Sequence, residues 1–329
     1  MSIQIGPVTL AAPVILAPMS GVSDLPFRRL VKRLGAGLVV SEMIASEAMI
    51  RQNRKTLKMA SNCAEEYPMA VQLAGCEPAV MAEAAKLNED RGAAVIDINM
   101  GCPVKKVVNG YAGSALMREE DKAARICEAV AKAVDLPVTL KMRTGWDDGS
   151  RNAPRLARLA QDAGIRMITV HGRTRCQFYN GRADWAFIAR VKQAVDIPVV
   201  GNGDVTTFED VTALFEQSAA DGIMIGRGTY GRPWFLRQVI EFLTTGRRLA
   251  DPPLGEQHAI LRAHYLDMLH HYGRESGLRV ARKHVGWYTR GLPKSAEFRA
   301  LVNGLADADA TLAAIDAFYA SLCDRARAA

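Results

Sequence analysis

Along the chain, short apolar runs rich in β-branched residues alternate with segments whose apolar positions recur every three or four residues. The runs cover residues 14–17, 37–42, 69–73, 95–99, 138–142, 167–171, 199–202 and 222–226. The intervening periodicity predicts helices over 78–91, 119–133, 153–163, 185–195 and 208–217, with Asp184 and Thr207 as start signals. Runs that are apolar throughout are buried on both faces, as in a parallel sheet covered by helices. Eight such runs at even spacing predict an α/β fold, the (β/α)8 TIM barrel, which typically takes about 250 residues. An open doubly wound sheet is the alternative; the count of eight favours the barrel. The opening "IQIGPVTL" reads as a hairpin turning at Gly6-Pro7, placed to plug the barrel's bottom.

Strand runs stop near residue 247. "TTGRRLADPPLG" has the turn residues and prolines of a linker, and helical periodicity follows over 256–271, 274–288 and 309–326. The expected division is a catalytic barrel over 1–244 and an all-helical domain over 245–329.

Composition narrows the class. Apolar residues make up 49% and charged residues 23%, which is ordinary for a globular chain with a sizeable core. The net charge of +7 permits an anionic partner without requiring one. Six scattered cysteines with no C-x-x-C pair argue against a disulfide framework or a cysteine zinc site, and point to a reducing cytoplasm. No apolar stretch reaches the roughly 18 residues that a membrane span needs.

In a barrel, chemistry gathers at the C-terminal ends of the strands. Read in order, those ends carry "APMSG", Glu42, Gln72, Asn99 with Cys102, Lys141 with Arg143, His171 with Arg173, "GNGD" and "GRG". Taken alone, His171 reads as structural and Cys102 as a small buried apolar residue. Lys141 alone reads as a surface lysine or a Schiff-base lysine. Convergence of so many polar groups on one mouth favours function. The loops after the seventh and eighth strands commonly bind phosphate in barrels, and here Arg227 adds charge to "GRGTYG". That segment matches the dinucleotide fingerprint G-x-G-x-x-G, but it comes too late in the fold and no strand follows it. A mononucleotide cofactor suits it better, and Gln72, Asn99 and Lys141 suit the polar edge of a flavin ring.

The segments "LAPMSGVSDLPFR", "AVQLAGCEP", "DINMGCPVKKVV", "GSALM", "VTLKMRTGWD", "TVHGRTRCQFYNGRADW", "VVGNGDV" and "IGRGTYGRPWFL" resemble the tRNA-dihydrouridine synthases, most closely the bacterial B-type branch. The resemblance implies an FMN enzyme that uses NADPH to reduce a D-loop uridine of tRNA to 5,6-dihydrouridine. It implies that Pro18, Met19 and Ser20 line the flavin, and that Gln72, Lys141 and His171 bind its ring. Asn202, Gly203, Asp204, Gly226 and Arg227 would hold its phosphate. Asn99 would lie near the base and Cys102 would be the proton donor. Ser20 departs from the alanine common in relatives. Arg143, Arg173 and Lys105 are expected to face the substrate. Lys105 and Lys106 read equally as a solvated basic turn.

Residues 272–299 carry seven basic side chains against two acidic ones, with His284, Trp287 and Tyr288 interleaved. Basic groups neutralise phosphates and aromatics stack on unpaired bases. Arg282 and Lys283 are therefore expected to touch tRNA. Trp287 reads more readily as core between helices. A second basic run, residues 51–58, is expected to face the same partner. The overall expectation is a cytoplasmic monomer that binds tRNA and uses neither metal nor membrane. A flavin dehydrogenase of free pyrimidines and a non-catalytic RNA-binding protein are the rival readings. The first does not need the basic helices; the second does not need Cys102.

Overall fold

The computed structural model describes residues 2–328, with the side chains of residues 54, 55 and 326–328 left aside. The chain opens with an antiparallel hairpin, β1 (Ile3–Ile5) and β2 (Val8–Leu10), turning at Gly6-Pro7. A parallel barrel follows. Its first three strands are β3 (Val14–Leu16), β4 (Leu38–Val40) and β6 (Met69–Ala74), with a two-residue β5 (Ile44–Ala45) beside β6. It continues with β7 (Val95–Met100), β8 (Val138–Arg143), β9 (Met167–His171), β10 (Val199–Asn202) and β11 (Gly222–Ile225). Hydrogen-bonded neighbours run β4-β3-β11-β10-β9-β8-β7-β6, and a β4–β6 pairing closes the ring.

Helix α1 (Leu25–Arg33) follows β3, and short helices α2 (Ser46–Ile50) and α3 (Arg54–Met59) follow β5. The outer ring continues with α4 (Pro78–Glu89), α6 (Glu120–Ala133), α7 (Ala153–Asp162), α8 (Trp185–Ala194), α9 (Phe208–Ser218) and α10 (Phe235–Thr245). A one-turn α5 (Lys105–Val108) lies on the loop after β7. Asp184 and Thr207 cap α8 and α9, each accepting a backbone N–H with its side chain.

The strand runs are not uniform. Outward positions such as Ile96, Ile98, Leu140 and Val170 belong to the core shared with the helices. Inward positions change character along each strand. At the bottom they are apolar, and Ile15, Leu38, Val95, Met167 and Val200 form a layer with Ile3, Ile5 and Leu10 of the hairpin. The hairpin thus plugs that end. Higher up, the inward positions are Gln72, Asp97, Asn99, Thr139, Lys141, Thr169, His171 and Asn202, all buried. The period-two alternation of a strand is masked because the outward residues, Gly201 apart, are large and apolar.

Beyond α10 come α11 (Leu254–Tyr272), α12 (Arg274–Tyr288), α13 (Ser295–Gly304) and α14 (Ala308–Ala328). They have their own core, including Leu261, Tyr265, Leu278, Phe298, Ile315 and Tyr319. The segment before α11 is pinned. Asp251 accepts from Trp234 Nε1 at 2.9 Å and Gln238 Nε2 at 3.0 Å. These helices dock beside the barrel's mouth. Phe27 of α1 lies 5.5 and 5.7 Å from the rings of His264 and His284. The Tyr272 hydroxyl donates to Asp24 at 2.9 Å, and Trp287 stacks on Tyr230 at 4.1 Å.

Gly231 marks the closest approach. Its φ is +71°, and a Cβ there would lie 2.2 Å from the Trp287 carbonyl oxygen. The left-handed conformation alone costs an alanine roughly 1–2 kcal/mol, and the clash adds to it. We expect Gly231→Ala to lower stability by about 2–4 kcal/mol, measured by urea unfolding. A parental midpoint would show that α12 yields at this contact without penalty.

Candidate active site

The polar inward layer opens into a cavity of about 780 Å³ at the C-terminal ends of the strands. Its wall includes Pro18, Met19, Ser20, Gln72, Asn99, Cys102, Lys141, Arg143, His171, Asn202, Gly203, Asp204, Gly226 and Arg227. Residues from seven strand ends thus meet in one place. Arg173 and Lys105, also expected to face the substrate, are not part of this wall, nor are Arg282 and Lys283, expected to touch tRNA from the helical part.

Lys141 is buried and its Nζ donates to Asn202 Oδ1 at 3.1 Å. Burial brings its pKa down to about 8, with Arg143 adding to the depression and Asp97 opposing it. Asn202 also donates to the Met224 carbonyl at 2.8 Å, so its amide is engaged on both ends. It stands beside Lys141 on the cavity wall. His171 is held well below its ordinary value, chiefly by burial and then by Lys141, Arg143, Arg173 and Arg227. It is a neutral imidazole at pH 7.

Two arginines at the mouth are pins. Arg143 is buried and donates from Nε to Gly101 O at 2.7 Å and from Nη1 to Thr174 O and Phe178 O, both at 2.8 Å. It ties the cysteine loop to the loop after β9. Arg173, expected to face substrate, is spent elsewhere. It bonds Asp204 through both terminal nitrogens, at 2.9 and 2.6 Å, and the carbonyls of Asn180 and Gly181. Asp204 also accepts from Arg227 at 3.1 Å and Ala183 N at 2.8 Å. Its carboxylate therefore orients Arg227 rather than meeting an anion itself. Gly203 has a packing reason too: a Cβ there would come within 2.9 Å of the His171 ring.

Cys102 sits half-buried on the loop after β7. Its carbonyl accepts from Ser114 N at 3.1 Å and Ser114 Oγ at 2.8 Å, which closes residues 102–114 into a compact loop. Burial raises the thiol above its ordinary value of 9.0, against the opposing pull of a backbone N–H, Arg143 and Lys141. Lys105 and Lys106 are exposed on this loop, and neither has an ion-pair partner among the described residues.

The basic stretch of α12 is split: Arg274 and Arg279 are exposed, while Arg282 and Lys283 are half-buried. Arg282 donates to the Leu305 carbonyl at 2.8 Å, and Lys283 donates to the Gly21 carbonyl beside the mouth. These bonds tie α12 to α13's end and to the barrel's mouth. A count of charges could not reveal that backbone carbonyls take them up. In the run 51–58, Arg51 pairs with Glu47, and Lys58 donates to His271 O. The side chains of residues 54 and 55 lie outside the described residues.

Several site residues had no sequence signal. Asp97 is buried beneath the cavity. Tyr179 lines it, with Arg227 and Arg143 at 5.1 and 5.6 Å from its ring. Tyr111 and Phe178 are aromatic residues in left-handed backbone, at φ +55° and +56°, and are exposed by 70% and 39%. Strain of this kind clusters at functional sites. Among the described residues no three His, Cys, Asp or Glu side chains converge as a metal site requires, and no helix is long and apolar enough to cross a membrane.

This barrel is shared with known structures. Histamine dehydrogenase from a Rhizobium species superposes with a TM-score of 0.56 at 13% identity, over 80% of this chain and 50% of that one. A 2-naphthoyl-CoA reductase gives 0.56 at 12% identity, over 75% and 52%. The chain spans about half the length of each, and at such identity the likeness speaks for the fold alone. Sequence relatives match along their whole length. A probable tRNA-dihydrouridine synthase of Rickettsia bellii is 57% identical over 98% of this chain and 99% of its own. The tRNA-dihydrouridine synthase B of Pseudomonas aeruginosa is 50% identical over 97% and 96%. A family model described as dihydrouridine synthase matches residues 15–322. With that match covering barrel, mouth and helices alike, the chain belongs to the dihydrouridine synthase family.

Proposed function

We propose that this protein reduces a D-loop uridine of tRNA to 5,6-dihydrouridine in the cytoplasm, with FMN as its bound flavin and NADPH as reductant. The observation that carries the reading is a protonated thiol, Cys102, and a buried ammonium, Lys141, on the wall of one cavity. The relatives named above supply the substrate.

The cavity suits a flavin mononucleotide. Its volume of about 780 Å³ falls in the usual range for cofactor sites. In and just below its wall stand four cations, Lys141, Arg143, Arg173 and Arg227, against two carboxylates, Asp97 and Asp204. That excess favours an anion. Arg227 has one bonded donor nitrogen, leaving the rest of its fork for a phosphate. Lys141, Gln72 and His171 would hold the ring, and Lys141 would favour negative charge on it. When bound, the flavin supplies a hydride to C6 of the uracil ring.

The chain's own task is then to deliver a proton to C5. A thiol that burial keeps protonated at neutral pH is fit for that role. As Cys102 gives up its proton, Lys141 and Arg143 ease the charge left on sulfur. The target base must leave its stack, which costs a few kcal/mol, less in a loop already unstacked. Tyr179 on the cavity wall, Phe178 against it and the exposed Tyr111 on the cysteine loop would serve as stacking surfaces for bases beside the target. Lys105 and Lys106 meet their phosphates.

Cys102→Ala tests the reading directly. The variant should bind FMN and consume NADPH yet form no dihydrouridine in unmodified tRNA, scored by mass mapping. Dihydrouridine formed at the parental rate would remove Cys102 from the mechanism. A protein that is colourless as purified and takes up no FMN would remove the flavin.

The thiol's raised pKa sets a pH dependence. Alkylation requires the thiolate, so the rate at Cys102 should still be climbing above pH 9.0. A plateau reached below pH 9.0, by peptide mass mapping after iodoacetamide, would show a thiol poised to lose its proton at rest.

The two pairs of cations should behave differently. Replacing Lys105 and Lys106 with alanine should weaken tRNA binding and flatten its salt dependence, by a log–log slope of roughly 0.9 for each duplex phosphate left without its cation. Replacing Arg282 and Lys283 should instead lower the unfolding midpoint. A salt titration and a urea titration on both double variants separate the effects; the opposite assignment would return the RNA-binding role to α12.

A further inference from the structure

Just below the cavity floor, Gln72, Asp97 and Thr139 are register partners on the adjacent strands β6, β7 and β8. All three are buried and point inward. Thr139 Oγ1 donates to Asp97 Oδ1 at 2.6 Å, and Gln72 Nε2 donates to Asp97 Oδ2 at 2.7 Å. Gln72 Oε1 accepts from Asn99 Nδ2 at 2.7 Å. Asn99 Oδ1 accepts from the backbone N–H of Cys102 at 2.9 Å and of Gly101 at 3.1 Å. The chain of bonds starts at a buried carboxylate and ends on the loop that carries the thiol.

Its direction follows from the chemistry of the groups. An ionised carboxylate only accepts. A side-chain amide donates at one end and accepts at the other, and the two ends have nearly the same shape. Gln72 must therefore turn its NH2 toward Asp97, which leaves its oxygen for Asn99. Asn99 must then turn its oxygen toward the loop. The other side of the loop is held independently. Arg143 takes the Gly101 carbonyl and Ser114 takes the Cys102 carbonyl. The N–H side depends on Asn99.

We propose that Asp97 is a positioning residue for the reaction: its carboxylate sets the orientation of Gln72 and Asn99, and through them fixes the backbone of Cys102. This rests on the reading of Cys102 as the proton donor. Without the carboxylate, either amide is free to reverse. A reversed Asn99 points its NH2 at two backbone N–H groups, and the loop must move to separate donor from donor. The thiol moves with it. Asp97 also stands near Lys141 as a buried counter-charge, and its presence raises the lysine's pKa.

Two near-isosteric variants test this. Asp97→Asn removes the obligate acceptor. The double variant Asp97→Asn with Gln72→Glu moves the carboxylate one strand over. There it again accepts from Asn99, so the end of the chain at Cys102 keeps its direction. For Asp97→Asn we expect uridine reduction to fall about 100-fold, the size seen when a reacting group shifts by about an ångström. Alkylation of Cys102, followed by peptide mass mapping, should become several-fold faster as its loop loosens. The double variant should bring alkylation back to the parental rate. Parental turnover and parental alkylation in Asp97→Asn would overturn the proposal. So would a double variant alkylated as fast as the single one, because Asp97 would then act by packing and not by direction. A parent protein that makes no dihydrouridine would overturn the functional reading instead, while the alkylation comparison still decides on the hydrogen-bond chain.

Discussion

The structure depends on a change of polarity inside the barrel. The lower half of the inward face is apolar and sealed by the hairpin; the upper half is polar and shut away from water. Buried polar groups without partners are expensive, so most of the upper layer bonds within itself, the Thr169 hydroxyl excepted. Asp97 takes Thr139 and Gln72, Gln72 takes Asn99, Lys141 takes Asn202, and Arg173 and Arg227 share Asp204. Each bond joins different strands or the loops that follow them. The barrel supplies the register, and the bonds convert that register into fixed positions for the groups that open on the cavity.

This explains what the sequence revealed and what it hid. The eight strands and most barrel helices were readable, because outward residues are apolar without exception and caps such as Asp184 and Thr207 mark the helix starts. The mouth was readable because strand ends are where a barrel exposes its loops. The second level was not. Asp97 lies mid-run in "VIDIN", and nothing in that string shows that it faces inward beside Gln72 and Thr139. Helix α1 is absent from the expected elements although Asp24 and Pro26 signal a start and Phe27, Leu30 and Val31 follow at helical spacing. The partners of the basic stretch of α12 are hidden for a related reason. Charge is visible in a sequence, but the carbonyl oxygens of Leu305 and Gly21 that absorb Arg282 and Lys283 are not.

Docking of the helices brings them close to the chemistry. Lys283 reaches Gly21, next to Ser20 on the cavity wall. Trp287 stacks on Tyr230, which also lines the cavity. Tyr272 donates to Asp24, the cap of α1. The helical part therefore backs residues that line or flank the mouth rather than hanging on a loose tether. Disturbing it must disturb the loop from 226 to 231.

The buried carboxylates carry a cost with a definite sign. Burial lifts Asp24 and Asp97 to about 6, from 3.8 for a free aspartate. A raised acid pKa means that the folded state binds the proton more tightly than the unfolded state. The associated stability is complete below about pH 4 and is lost as pH rises through 6. At neutral pH both side chains are ionised against that gradient, at a cost on the order of a few kcal/mol for a shift of this size. An asparagine at 97 would avoid the cost and fill the same space. It would also offer Gln72 a partner that can donate or accept, and the direction of bonding toward Cys102 would no longer be unique. A charge kept where the fold would prefer none makes physical sense if what it secures is orientation. That is why the carboxylate stands beneath the thiol loop and not at the solvent-facing rim, where a charge costs little and orients little.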